Sequence, residues 1–98
     1  MDTPLQVTFR DLPHSPALGE KVRERAERLQ ALSTRITSCR VTLERRHRHK
    51  RHGREYNVRI DLRVPEREIV VNQDHDEDVY VALRDAFEAA ERQLKELA

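Results

Sequence analysis

From Tyr56 to Val64 the residues alternate without interruption: Tyr56, Val58, Ile60, Leu62 and Val64 are apolar, and Asn57, Arg59, Asp61 and Arg63 are polar. Successive side chains of an extended chain point to opposite sides, so this run predicts a β-strand with one dry and one wet face. Such a strand needs partners at its edges and a second layer over its apolar face. Upstream, Cys39, Val41 and Leu43 alternate with Arg40, Thr42 and Glu44, which predicts another strand from about Ile36. Residues 47–53 between them read HRHKRHG. Gly53 can supply a positive φ where the chain reverses, so the two runs are expected to form a long antiparallel hairpin.

The remaining segments supply the other strands and the cover. Leu5, Val7 and Phe9 alternate with Gln6, Thr8 and Arg10, a first strand. Ser15-Pro16 then suits a helix start, with the serine hydroxyl capping an amide and proline at the first helical position. Leu18, Val22, Ala26 and Leu29 repeat at helical spacing up to about Leu32. Pro65-Glu66-Arg67-Glu68 predicts a turn and Ile69-Val70-Val71 a short fourth strand. Asp74, Asp76, Glu77 and Asp78 favour a helix N-terminus, where negative charge meets the positive end of the helix dipole. Val79, Tyr80, Leu83, Phe87, Ala90, Leu94 and Leu97 then mark one apolar stripe. The order β-α-β-β-β-α predicts an α+β fold, a four-stranded mixed sheet with two helices packed on one face. A parallel first pair of strands would place the first helix in a right-handed crossover. The chain of 98 residues is expected to be one domain over 1–98.

Charge is unevenly distributed. The net charge is +1, yet residues 35–54 carry eight basic residues against Glu44 alone, and residues 74–98 carry three against eight acids. That pattern argues for a local polyanion site and against a uniformly basic binder. Arg45, Arg46, Arg48, Lys50, Arg51 and Arg54 are the leading candidates for nucleic-acid phosphates. Lys21, Arg23, Arg25 and Arg28 on the first helix are further candidates, with pairing to Glu20, Glu24 and Glu27 as the rival reading. Arg40, Arg59 and Arg63 belong to the open sheet face, where cross-strand pairing with Glu44 or Asp61 competes. With only four aromatic residues there is no evident stacking platform for single-stranded bases.

Other chemistries find little support. His47, His49 and His52 could share one strand face, but flanking arginines repel a cation and no second ligand cluster completes a shell, so no metal is expected. The acids at 74–78 are accounted for by a helix start, Cys39 by the apolar side of its strand, and Tyr80 and Phe87 by the core. No catalytic residue, cofactor or small-molecule substrate is expected. One cysteine, no apolar run long enough to span a bilayer and no signal-peptide pattern point to a cytoplasmic protein without a membrane partner.

The stretches LQVTFRDLPHSPALGEKVRERAERL, RITSCRVTLE, YNVRIDLRVPEREIVV and HDEDVYVALRDAFEAAERQL, in this order, resemble the bacterial ribosome hibernation-promoting factors, also called ribosome-associated inhibitor or sigma-54 modulation proteins, in their short form. The acidic-Val-Tyr-Val-Ala-Leu-Arg-Asp-Ala run through Arg92-Gln93-Leu94 is the most specific piece. The resemblance implies a double-stranded-RNA-binding-like fold and a partner in the small ribosomal subunit. It also implies contact with ribosomal RNA in the channel for messenger and transfer RNA, inhibition of translation without catalysis, and a monomer off the ribosome. A general RNA-binding regulator or chaperone is the alternative. Helices of the family are usually basic, whereas the second helix here offers only Arg84, Arg92 and Lys95; Arg84 and Arg92 complete the candidate RNA contacts.

Overall fold

The computed structural model describes residues 4–47, 54–75 and 77–97. In chain order the elements are β1 (Leu5–Arg10), α1 (Pro16–Leu32), β2 (Ser38–His47), β3 (Arg54–Val64), β4 (Arg67–His75) and α2 (Val79–Glu96). The four strands form one sheet in the order β1-β2-β3-β4. β1 runs parallel to β2, while β2-β3 and β3-β4 are antiparallel. The expected mixed sheet and element order are therefore present.

Alternation sets which face is covered. Cys39, Val41 and Leu43 of β2 and Val58, Ile60, Leu62 and Val64 of β3 are buried. They share one core cluster with Leu18, Val22, Ala26 and Leu29 of α1 and Leu83, Ala86, Phe87, Ala90 and Leu94 of α2. Both helices thus lie on one side of the sheet, α2 over β3 and β4 and α1 beside β1 and α2. A buried residue of leucine or phenylalanine size contributes roughly 1.5–3 kcal/mol of transfer free energy, so this cluster dominates the stability. α1 starts as its sequence predicts: the Ser15 hydroxyl accepts the Leu18 amide at 3.2 Å and Pro16 follows it.

Four expectations need correction. The fourth strand spans Arg67–His75 and not only Ile69–Val71, because the turn is confined to Pro65 and Glu66. A two-residue turn fixes the register, pairing Val64 with Arg67 and every later residue through Tyr56 with His75. Polar Asn72, Gln73 and Asp74 hide that extension from a hydropathy pattern. The acidic run, second, does not form a helix start as a unit: Asp74 lies in β4, and among the described acids of the run only Asp78 caps α2, accepting the Tyr80 and Val81 amides at 2.9 and 3.4 Å. Third, Tyr80 is not in the core but 44% exposed, since its helix position turns away from the sheet. β2 begins at Ser38, two residues later than expected, with Ile36 buried just ahead of it.

Glu66 adopts φ 66° in that turn. Proline followed by a residue of positive φ is a type II arrangement, in which glycine or asparagine is preferred at the second place.

Candidate nucleic-acid interface

β1, β2, β3 and β4 each end or begin at one pole of the sheet, where segment 48–53 joins β2 to β3. α1 and α2 both start at this pole, after β1 and β4 respectively, so their positive dipole ends face the same way as the basic hairpin. Of the hairpin candidates, Arg48, Lys50 and Arg51 lie outside the described residues, as does the side chain of Arg54. So do His49 and His52 and the side chain of His47, the metal candidates, and Gly53. No group of three potential metal ligands occurs among the described residues.

Arg45 and Arg46 are neighbours with opposite surroundings. Arg46 points to the open face. Its Nε lies 3.3 Å from Glu44 Oε1 and its Nη1 3.7 Å from Asp74 Oδ1. Glu44, Asn57 and Asp74 form one cross-strand row over β2, β3 and β4, so the guanidinium spans the row. Beneath it Asn57, only 6% exposed, donates from Nδ2 to Asp74 Oδ1 at 2.6 Å and, at 3.5 Å, to the Gln73 carbonyl. An amide buried on the polar side of a sheet is tolerable only with such partners. Arg46 is thus largely neutralised by acids from two strands.

Arg45 lies on the other side, in register with Tyr56, which is in turn in register with His75. It has no carboxylate partner among the described residues, and its Nε is buried without a hydrogen bond, as is His75 Nδ1. Leaving such a nitrogen unsatisfied costs about 1–3 kcal/mol, which marks this row as unusual.

The wider open face is charge-balanced. Register and alternation place Arg10, Arg40, Arg46, Arg59 and Arg63 there together with Glu44, Glu55, Asp61, Glu68 and Asp74. Arg59 grips Asp61 from Nε at 3.2 Å and Nη2 at 3.2 Å, and Arg63 pairs with Glu68 at 3.7 Å. The Asp61 carboxylate raises the Arg59 pKa above its ordinary value, through the hydrogen bond first and its charge second. The pairing alternative for Arg59 is therefore the one adopted. Arg10 and Arg40 have no ion pair among the described residues.

The helix candidates divide in the same way. Lys21 pairs with Glu24 at 3.5 Å and Arg23 with Glu20 at 3.9 Å, both one turn apart. Arg25 and Arg28 form no ion pair among the described residues, but share a shallow groove with Glu88 and Glu91 of α2. Arg84 is held by its neighbour Asp85 at 3.2 Å, while Arg92 is exposed and has no ion pair among the described residues. The structure therefore does not gather the eight candidates whose side chains are described onto one surface. β2 is ten residues long, about 33 Å when extended, so the basic stretch runs from Arg35 at one pole to Arg46 at the other.

Cys39 is buried in the core, and its thiol is pushed up to about 11, chiefly by burial and secondly by the charge of Asp61. A thiol held protonated in this way is a poor nucleophile. No helix among the described residues is long and apolar enough to cross a membrane.

Residues 5–98 match the family described as Sigma 54 modulation protein / S30EA ribosomal protein. A search of curated proteins gave no significant sequence match. Among solved structures, the chain resembles a ribosomal subunit interface protein from Coxiella burnetii, with a TM-score of 0.80 at 19% identity over 96% of each chain. It also resembles the N-terminal domain of Protein Y from Thermus thermophilus, with a TM-score of 0.77 at 19% identity over 95% of this chain and 96% of that one. At these identities the likeness speaks for the fold.

Proposed function

The chain belongs to the sigma-54 modulation / S30EA ribosomal protein family, and from that membership we propose that it is a ribosome-associated translation inhibitor of the hibernation type. In this reading it acts as a single ribosome-binding domain over 1–98, a monomer off the ribosome, in the cytoplasm. It binds the small subunit through ribosomal RNA phosphates and occludes the channel for messenger and transfer RNA. The observation that carries the reading is the family match over residues 5–98. The name of the Coxiella burnetii protein, a ribosomal subunit interface protein, points the same way.

The binding chemistry is electrostatic and needs neither reaction nor cofactor. Arginine offers a planar fork that holds two phosphate oxygens at once. Arg45, with no carboxylate partner among the described residues, leads the contacts, together with Arg48, Lys50, Arg51 and Arg54 of the same basic run. Arg25, Arg28 and Arg92 add secondary contacts. Arg46, Lys21, Arg23 and Arg84 must first leave an acidic partner, and such exposed pairs are held by only about 0.2–1 kcal/mol each. Recognition is then of RNA shape and backbone more than of base sequence.

The test is sedimentation of the protein with purified small subunits over a series of salt concentrations, beside an unrelated RNA duplex. The reading predicts stoichiometric co-sedimentation that weakens steeply with salt, as counterions return to freed phosphates, and much weaker binding to the duplex. Equal affinity for both would make the chain a general RNA binder, and no association with subunits would refute the reading.

A further inference from the structure

We propose that Arg45, Tyr56 and His75 form a receptor for one phosphate group on the helix side of the sheet, at the hairpin pole. The three side chains come from β2, β3 and β4 and occupy a single cross-strand row. It is the next same-face row beyond Leu43, Val58 and Gln73. Facing side chains in adjacent strands stand close enough to act on one small ligand.

The polar groups in this row have no acceptor among the described residues. Arg45 Nε and His75 Nδ1 are the two buried side-chain nitrogens without a hydrogen-bond partner among the described residues, and both belong to it. Two nearby acids are committed elsewhere: Asp74 points to the opposite face and accepts from Asn57, and the Asp78 carboxylate accepts the Tyr80 and Val81 amides. The row thus offers a guanidinium N–H, a phenol O–H and an imidazole N–H toward an anion. A phosphate, with several oxygens, can accept from all three, and the arginine fork can take two of its oxygens. α2 begins at Val79, just after His75, so its dipole adds to the same preference.

This deepens the proposed function, because a backbone phosphate of RNA is one source of the ligand. Free inorganic phosphate is the other. The chemistry of the receptor does not depend on which source fills it.

The experiment follows the His75 ring nitrogens and Arg45 Nε of the whole chain by nitrogen-15 NMR during titration with inorganic phosphate, a short RNA duplex, and chloride at matched ionic strength. Saturable shifts of both signals with phosphate or RNA, absent with chloride, are expected. Response to RNA alone or to both probes assigns the ligand to the backbone; response to phosphate alone assigns it to the free anion. Arg45→Gln should weaken the effective probe on the order of tenfold and move the midpoint of the His75 response to correspondingly higher concentration, as expected for loss of a charge-assisted hydrogen bond. Tyr56→Phe keeps the ring in place and should weaken it less. Signals that stay unmoved with both probes, or that follow chloride equally, overturn the receptor. Subunit sedimentation of the unaltered chain reads the ribosomal assignment separately, so either can fail alone.

Discussion

Removing the two acids that hold Arg46 should strengthen binding to polyanions. The perturbation is the double variant Glu44→Gln/Asp74→Asn. In the native chain Arg46 faces these carboxylates at 3.3 and 3.7 Å on a side chain 47% exposed. Unit charges about 4 Å apart interact by about 1 kcal/mol in water, and measured exposed pairs reach only about 0.2–1 kcal/mol. Two such pairs therefore restrain Arg46 by at most about 2 kcal/mol. Once they are gone the local charge rises by two, and RNA no longer has to displace either acid. Affinity for small subunits should rise about three- to thirtyfold. If Arg46 then takes one phosphate, the slope of log K against log salt should steepen by about 0.7–0.9. Stability should fall by no more than about 2 kcal/mol, the worth of the two pairs, since an amide at 74 can still accept from Asn57 Nδ2 at its 2.6 Å contact. The assay is subunit sedimentation across a salt series, with urea unfolding as control and Arg46→Gln added to the double variant to abolish the gain. A correctly folded double variant with unchanged affinity and slope would show that Arg46 does not face phosphate.

Other expectations concern the scaffold. Phe87→Ala, at a core position 3% exposed, should cost about 3–5 kcal/mol in urea unfolding. Glu66→Gly should stabilise by up to about 1 kcal/mol, because φ 66° strains a side chain there; a loss of stability would refute that account. The Cys39 thiol is raised to about 11, from an ordinary value of 9.0, so the unfolded chain sheds this proton first as pH rises. Its effect is absent below about pH 9, and stability should then fall by roughly 2 kcal/mol as pH approaches 11; in Cys39→Ala that part of the alkaline slope should vanish.

Periodic elements were readable from the chain because burial writes itself into alternation. Tyr56–Val64, the Ser15-Pro16 start and the stripe through Leu83, Phe87 and Leu94 each follow from one residue pattern and one physical rule. β4 was cut short because Asn72, Gln73 and Asp74 carry no hydropathy alternation; their pairing is imposed by the turn at Pro65 and Glu66. The site geometry lies in that extension: Asp74 meets Arg46 there and accepts from Asn57, and His75 ends the Arg45 row. Counting register outward from a two-residue turn would have found all three. Charge counted along the chain also misled, since an extended strand scatters consecutive arginines between opposite poles and opposite faces.

The central claim is that cations at the hairpin pole seat this fold on the RNA of the messenger and transfer RNA channel. Hydroxyl-radical footprinting of ribosomal RNA in small subunits, with and without the protein, tests it most directly. The account predicts protection confined to backbone lining that channel, lost when transfer RNA occupies it and weakened by Arg45→Gln. Protection elsewhere on the subunit, or protection that transfer RNA leaves intact, would contradict it.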